Sequence, residues 1–174
     1  ILGSAKAGVW MIIISDFQCP FCKRWHDETW AAVRKDYVDT GKLRVAYVNL
    51  PLSMHRNALP AAQVAMCASV QDKFWPVQDA LFRAQREWAD AADPQPVFET
   101  YARAAGVDMD ALRSCVQSGA TRPLIQADVD RATNAGASST PMFFIGGRAL
   151  LGAQPLSAFR GAIDAALAAL PAGK

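Results

Sequence analysis

Six apolar residues in succession, Val9 to Ile14, lead almost directly into Cys19-Pro20-Phe21-Cys22. A short, unbroken run rich in β-branched residues reads as a strand buried on both faces, the pattern of an interior position beside a parallel neighbour. Pro20 suits the first turn of a helix, where its missing N–H would have found no partner anyway. A helix is therefore expected from the Cys19-Pro20 step to about Asp39, with Trp25, Trp30, Val33 and Tyr37 on helical spacing and Thr40-Gly41 ending it. Leu43 to Val48 then alternates, bounded by Asn49 and Pro51, as a second strand. Strand, helix and strand in this order make a βαβ unit with its two strands parallel. Two thiols thus stand at the mouth of a strand-to-helix turn.

The other elements follow from punctuation and period. Pro60 to Val70 is Ala-rich and helical, and Lys73 to Trp88 reads as one further helix. Pro94 and Pro96 break the pattern before two short helices, Val97 to Ala105 and Met109 to Ser118, the second with Asp108 as its N-cap. Nothing in this block reads as a strand. Thr121 to Ala135 is another helix. Pro141 to Ile145 and Arg148 to Leu151 are apolar strands about Gly146-Gly147, a two-residue hairpin signal. Pro155 to Leu170 closes the chain as an amphipathic helix with Leu156, Phe159, Ile163, Leu167 and Leu170 on one face. The expected class is α/β: residues 1–58 and 121–174 form one sheet-bearing unit, and residues 59–120 form an all-helical insertion.

Composition excludes several classes. The chain has 174 residues, 52% hydrophobic and 20% charged, a globular balance with enough apolar residues for a sizeable core. A net charge of +2 with no run of like charges gives no field for nucleic acid. The apolar run at the front is too short to span a bilayer. The chain opens on Ile1 rather than Met and is read as a form lacking its signal segment, with export as the expectation. Four cysteines, an even count, are compatible with an oxidising compartment.

The thiolate is the reactive form of cysteine. At a helix N-terminus, Cys19 would face unpaired N–H groups and the positive end of the macrodipole, both favouring its anion. Cys22, one turn in, would resolve a mixed disulfide formed on Cys19. Cys-x-x-Cys is also half of a zinc site, but two more ligands are needed and the neighbourhood offers only His26. Cys67 and Cys115, both in the helical block, are either a structural disulfide pinning two helices or two buried free thiols. His26 reads as a surface or capping neighbour, and His55 as a loop-ordering residue. Phe17, Phe21 and Met142 either form an apolar rim for unfolded chains or simply cover the fold. Pro141, at the start of a strand, needs nothing beyond an ordinary trans bond when read alone.

Three stretches taken together carry a resemblance: Ser15 to Cys22, then Asn49-Leu50-Pro51-Leu52 with His55 and Ala58, then Thr140 to Gly147. Together they resemble the DsbA-like thiol-disulfide oxidoreductases over nearly the whole chain. The resemblance implies a thioredoxin-like fold with a helical insertion, a periplasmic or otherwise extracytoplasmic location and no cofactor. It implies that Cys19 and Cys22 are the redox pair, that Pro141 is cis and lies against them, that Thr140 contacts substrate backbone, and that Pro141, Pro20 and Phe21 join it in binding substrate. Substrates would be unfolded or partly folded proteins bearing cysteines, and a separate redox partner would regenerate the pair. Oxidant, reductase and isomerase share these residues and differ in redox poise. A non-catalytic thioredoxin-like module binding metal or peptide is the competing reading. One departure stands out. DsbA-like proteins often carry a buried acid six positions before the first cysteine, and here that position is Ile13. Asp16 either substitutes for that acid in part or caps the turn.

Overall fold

A computed structural model describes residues 1–171. Strand β1 (Val9–Ser15) lies inside a four-stranded sheet of order β2-β1-β3-β4. It pairs in parallel with β2 (Leu43–Asn49) and antiparallel with β3 (Met142–Ile145), which pairs antiparallel with β4 (Arg148–Leu151). The absence of alternation in β1 is explained by both its faces. Val9, Met11 and Ile13 pack with Trp25, Trp30, Val33, Phe159 and Ile163, while Ile12 and Ile14 pack with Val129, Ala132 and Ala137. Trp10 alone escapes: it is 38% exposed, with the Arg44 guanidinium 4.6 Å above its ring.

The helix after the cysteines is not uniform. It runs as α1 (Pro20–Trp25), a π-helical stretch (His26–Trp30), α2 (Ala31–Val33) and a second π-helical stretch (Arg34–Val38). Each π stretch shifts the following residues around the axis. The run still keeps Trp25, Trp30, Val33 and Tyr37 buried, the Trp25 and Trp30 rings tilted against each other with centroids 5.7 Å apart. Two left-handed glycines, Gly146 (φ 55°) and Gly147 (φ 85°), make the β3–β4 turn. A Cβ at Gly146 would stand 2.6 Å from the Ala166 side chain, so glycine is required there on two counts.

Between the sheet halves lie α3 (Ala58–Ser69), α4 (Phe74–Arg83), α5 (Gln85–Trp88), α6 (Gln95–Ala104) and α7 (Met109–Ser118). The alanines of α3 are nearly all buried, small enough to let its neighbours close around Leu81, Trp88, Phe98 and Leu112. Asp108 caps α7, accepting from the Asp110 and Ala111 N–H groups at 3.0 Å each. The single helix expected over Lys73 to Trp88 is instead two. Ala84 leaves helical dihedrals, and the Leu81 carbonyl is taken by the Trp88 indole N–H at 2.9 Å. Burying Trp88 completely, with its one donor satisfied, decides that break. Helix α8 (Arg122–Asn134) returns the chain to the sheet against β2, and α9 (Leu156–Ala168) buries Phe159 and Ile163 on the opposite face. Among the described residues, no helix is long and apolar enough to cross a membrane.

Candidate active site

At the end of β1 the chain reaches Asp16, which is wholly buried. One carboxylate oxygen accepts from the Gln18 N–H (2.7 Å) and the Cys19 N–H (3.1 Å). The other accepts from the Leu52 N–H (2.8 Å) and meets His55 Nδ1 at 2.8 Å. Of the two roles open to Asp16, this geometry is the cap: one side chain ties the active-site turn to the Leu52–His55 loop. His55 is thereby a loop-ordering residue.

Cys19 follows as the N-cap of α1, with extended dihedrals, and Pro20 takes the first helical position. Both cysteines are free and buried, 3% and 1% exposed. Their ionisation is split. The Cys19 thiol is lowered to about 6, chiefly by a hydrogen bond from the Cys22 thiol. Burial opposes this, and Thr140 and the Cys22 and Phe21 N–H groups assist it. Cys22 is pushed well above its ordinary value, first by burial, then by its hydrogen bond to Cys19 and the charge there. The N–H groups at the start of the helix thus aim at one sulfur and leave the other as a thiol.

The Thr140–Pro141 peptide bond is cis, and the Cys19 thiol donates to the Thr140 carbonyl at 3.4 Å across 121 residues of sequence. The Thr140 hydroxyl is buried without a hydrogen bond among the described residues. Thr140, Pro141, Cys19, Cys22 and Pro20 are therefore brought together. Phe21 sits at the surface beside them, 54% exposed, with Arg24 over its ring at 5.2 Å. The apolar rim is smaller than the three-residue version read from the sequence. Phe17 (1% exposed) is held between Tyr47 and Phe82, stacked on the latter, and Met142 is buried against Ile14 and Ala137. His26 is also corrected. It is buried rather than superficial, stacked on Phe82, with its ring nitrogens 3.1 Å from Asp27 and 3.0 Å from Asp79. It joins the active-site helix to α4. Cys67 and Cys115 stand apart from the site, their sulfurs 2.06 Å apart in a disulfide between α3 and α7. Among the described residues, no three His, Cys, Asp or Glu side chains converge as a metal site requires.

Three amide side chains with no motif to announce them complete the site. Gln85, on the short helix α5, donates to the Phe17 carbonyl (2.7 Å) and the Cys19 carbonyl (3.1 Å). Gln18 donates to the Ala89 carbonyl and accepts from the Asn57 N–H, and the Asn57 amide spans the Trp88, Ala89 and Ala91 carbonyls. The helical block thus grips the backbone on which Cys19 sits. The sequence marks these only as polar residues in apolar surroundings. A cleft of about 670 Å³ opens beside this junction, lined by Gln18, Pro20, Lys23, His55, Gln85 and Arg86 among others.

The split ionisation has a measurable consequence. Alkylation of the reduced protein should rise through about pH 6 and level off roughly a unit higher, where an ordinary thiol would still be climbing toward its value near 8.5. The sign for stability follows. Cys19 has a depressed pKa, so reduced protein should gain stability relative to the disulfide form as pH rises from about 6 toward the unfolded thiol range. Denaturation of both redox forms at stepped pH measures the difference; no change with pH across that window would contradict the assignment.

The comparisons with known proteins agree with this architecture. The family model described as Thioredoxin matches residues 1–165. A Salinispora tropica protein named Na(+)/H(+) antiporter NhaA 3 is 31% identical over 97% of this chain, which spans only 24% of that relative's length. A Bacillus anthracis protein named probable disulfide bond formation protein D is 23% identical over 84% of this chain and 69% of its own. The crystal structure of Wolbachia pipientis alpha-DsbA1 superposes with a TM-score of 0.85 at 24% identity, covering 96% of this chain and 89% of that one. The match to the family model over almost the whole length shows that the chain belongs to the thioredoxin family, and its fold is that of the DsbA structure.

Proposed function

We propose that this protein exchanges disulfides with cysteines of unfolded or partly folded exported proteins, using Cys19 as nucleophile and Cys22 as resolving thiol. The observation that carries the reading is the split between two neighbouring thiols: Cys19 lowered to about 6, Cys22 raised. In the oxidising direction a substrate thiolate attacks the Cys19 sulfur of the Cys19–Cys22 disulfide. A mixed disulfide forms and the electron pair leaves on Cys22. A second substrate thiolate then attacks the substrate sulfur, forming the substrate disulfide and releasing the Cys19 thiolate, which is a good leaving group because its pKa is low. The reverse sequence reduces a substrate disulfide. Thr140 and Pro141 contact the substrate chain, a role supported by the Thr140 carbonyl lying 3.4 Å from the Cys19 sulfur, and Pro20 and exposed Phe21 flank it. A separate redox partner restores the pair, the location is extracytoplasmic, and residues 59–120 act as the insertion domain.

The test is exchange itself. Oxidised protein mixed with a reduced, unfolded, cysteine-bearing substrate should lose one disulfide for each one the substrate gains. The non-catalytic alternative gives no transfer above buffer, and that outcome would sink the reading.

A further inference from the structure

Cys19 stands at the N-cap of α1 without a capping bond from its own side chain, so its sulfur is aimed by the two peptide groups that flank it. The one before it is held from within the turn. The Cys19 N–H donates to Asp16 Oδ1 (3.1 Å) and to the Asp16 carbonyl (3.2 Å). The one after it points its carbonyl at the helical block. That carbonyl accepts from the Lys23 N–H, the first bond of the helix, and from Gln85 Nε2, both at 3.1 Å. The same Gln85 nitrogen donates to the Phe17 carbonyl at 2.7 Å, which has no other hydrogen bond among the described residues. One amide group with two N–H donors thus spans residues 17 to 19 from outside the motif.

Gln85 is built to hold rather than to follow. It is 5% exposed and opens α5, the short helix that begins where the chain breaks at Ala84. Helix α5 is itself fixed: Trp88 is fully buried, and its carbonyl accepts from the Asn57 amide at 3.0 Å. A buried carbonyl without a donor costs free energy, so loss of Gln85 would turn the Phe17 carbonyl toward another partner. Turning it rotates the peptide planes that set the Cys19 dihedrals.

We propose that Gln85 is a positioning residue for exchange at Cys19: by holding the Phe17 and Cys19 carbonyls it keeps the Cys19 sulfur at the start of α1 and beside the Thr140 carbonyl. The inference rests on the exchange reaction proposed above. No proton or electron passes through Gln85. Its contribution is orientation, and a displacement of about 1 Å at a reacting atom is enough to slow a step roughly a hundredfold.

Two substitutions test it. Gln85→Met keeps the length of the side chain and removes both donors. Gln85→Asn keeps an amide that is one methylene too short to reach both carbonyls. Asp108→Ala, which removes the α7 cap and touches neither thiol, controls for lost stability alone. Three quantities are measured: the rate at which oxidised, folded protein takes electrons from a reduced, unfolded substrate, the pH at which the Cys19 thiolate absorbance appears in the reduced form, and the melting temperature. In both Gln85 variants exchange should slow roughly tenfold or more, and the thiolate absorbance should move to higher pH as the sulfur leaves the N–H groups. Asp108→Ala should melt lower and exchange at the parent's rate. Should Gln85→Met not fold, the smaller change in Gln85→Asn carries the comparison. Folded Gln85 variants that exchange at the parent's rate, or whose thiolate absorbance stays at the parent's pH, overturn the proposal. So does an Asp108→Ala variant slowed to the same degree. A parent that exchanges with no thiol at all would instead overturn the functional reading beneath it.

Discussion

Cys19→Ser should abolish exchange, dropping the rate roughly a thousandfold or more, to that of buffer, a barrier change of about 4 kcal/mol or above. Cys19 is the sulfur held as a thiolate, Cys22 is kept a thiol by burial, and a serine hydroxyl cannot form the mixed disulfide. Cys22→Ser should fail differently. Cys19 keeps the backbone N–H groups of residues 21 and 22, and its largest single support, the Cys22 thiol, is exchanged for a serine hydroxyl that can also donate. It should therefore still attack a substrate disulfide and then stall because nothing resolves the product. Non-reducing electrophoresis after incubation with a disulfide-bearing protein reads both results: covalent adducts with Cys22→Ser, none with Cys19→Ser. Adducts from both variants, or turnover surviving in either, would mean that the roles are wrongly assigned.

How much of this was legible in the sequence depended on how local each cause is. The apolar run Val9 to Ile14, the Pro20 helix start, the Asp108 cap and the Gly146-Gly147 turn each act over a few residues, and each appears where its residues placed it. The break at Ala84 was not legible, because it follows from how Trp88 is buried and from which carbonyl its indole reaches. His26 was misjudged for a similar reason. Its spacing from Cys22 describes its own helix, whereas its burial comes from Phe82 and Asp79 on a helix more than fifty residues away. Phe17 reads as a flank of the motif, yet the strand it leaves turns it inward between Tyr47 and Phe82. The Gln85 contacts with the Phe17 and Cys19 carbonyls span 68 and 66 residues and leave no periodic trace. Chemistry was legible where residue type alone limits it, and the supports of that chemistry were not, because they come from the helical block folding back on the motif.

The second large effect concerns stability. Replacing both Cys67 and Cys115 with alanine should destabilise the oxidised protein by about 4 kcal/mol in the chain-entropy account, because the bond closes a loop of 48 residues in the unfolded state. For a chain of this size that is a fall of about 10 °C in melting temperature. The loop contains α4, α5 and α6, so the bond spares the block that carries Trp88 and Phe98 most of its search for closure. By the same account the Cys19–Cys22 bond, spanning a much shorter loop, restricts the unfolded chain far less, in keeping with the exchange role proposed for that pair. Thermal denaturation of the double variant against the parent, both with Cys19 and Cys22 oxidised, isolates the structural bond. Exchange well below the melting point should change little, since Cys67 and Cys115 lie outside the set of groups that touch the Cys19 and Cys22 sulfurs. A variant that melts with the parent would show that helix packing alone closes the block; one that loses exchange while folded would show that the grip of Gln85 and Asn57 on the active-site turn depends on the bond.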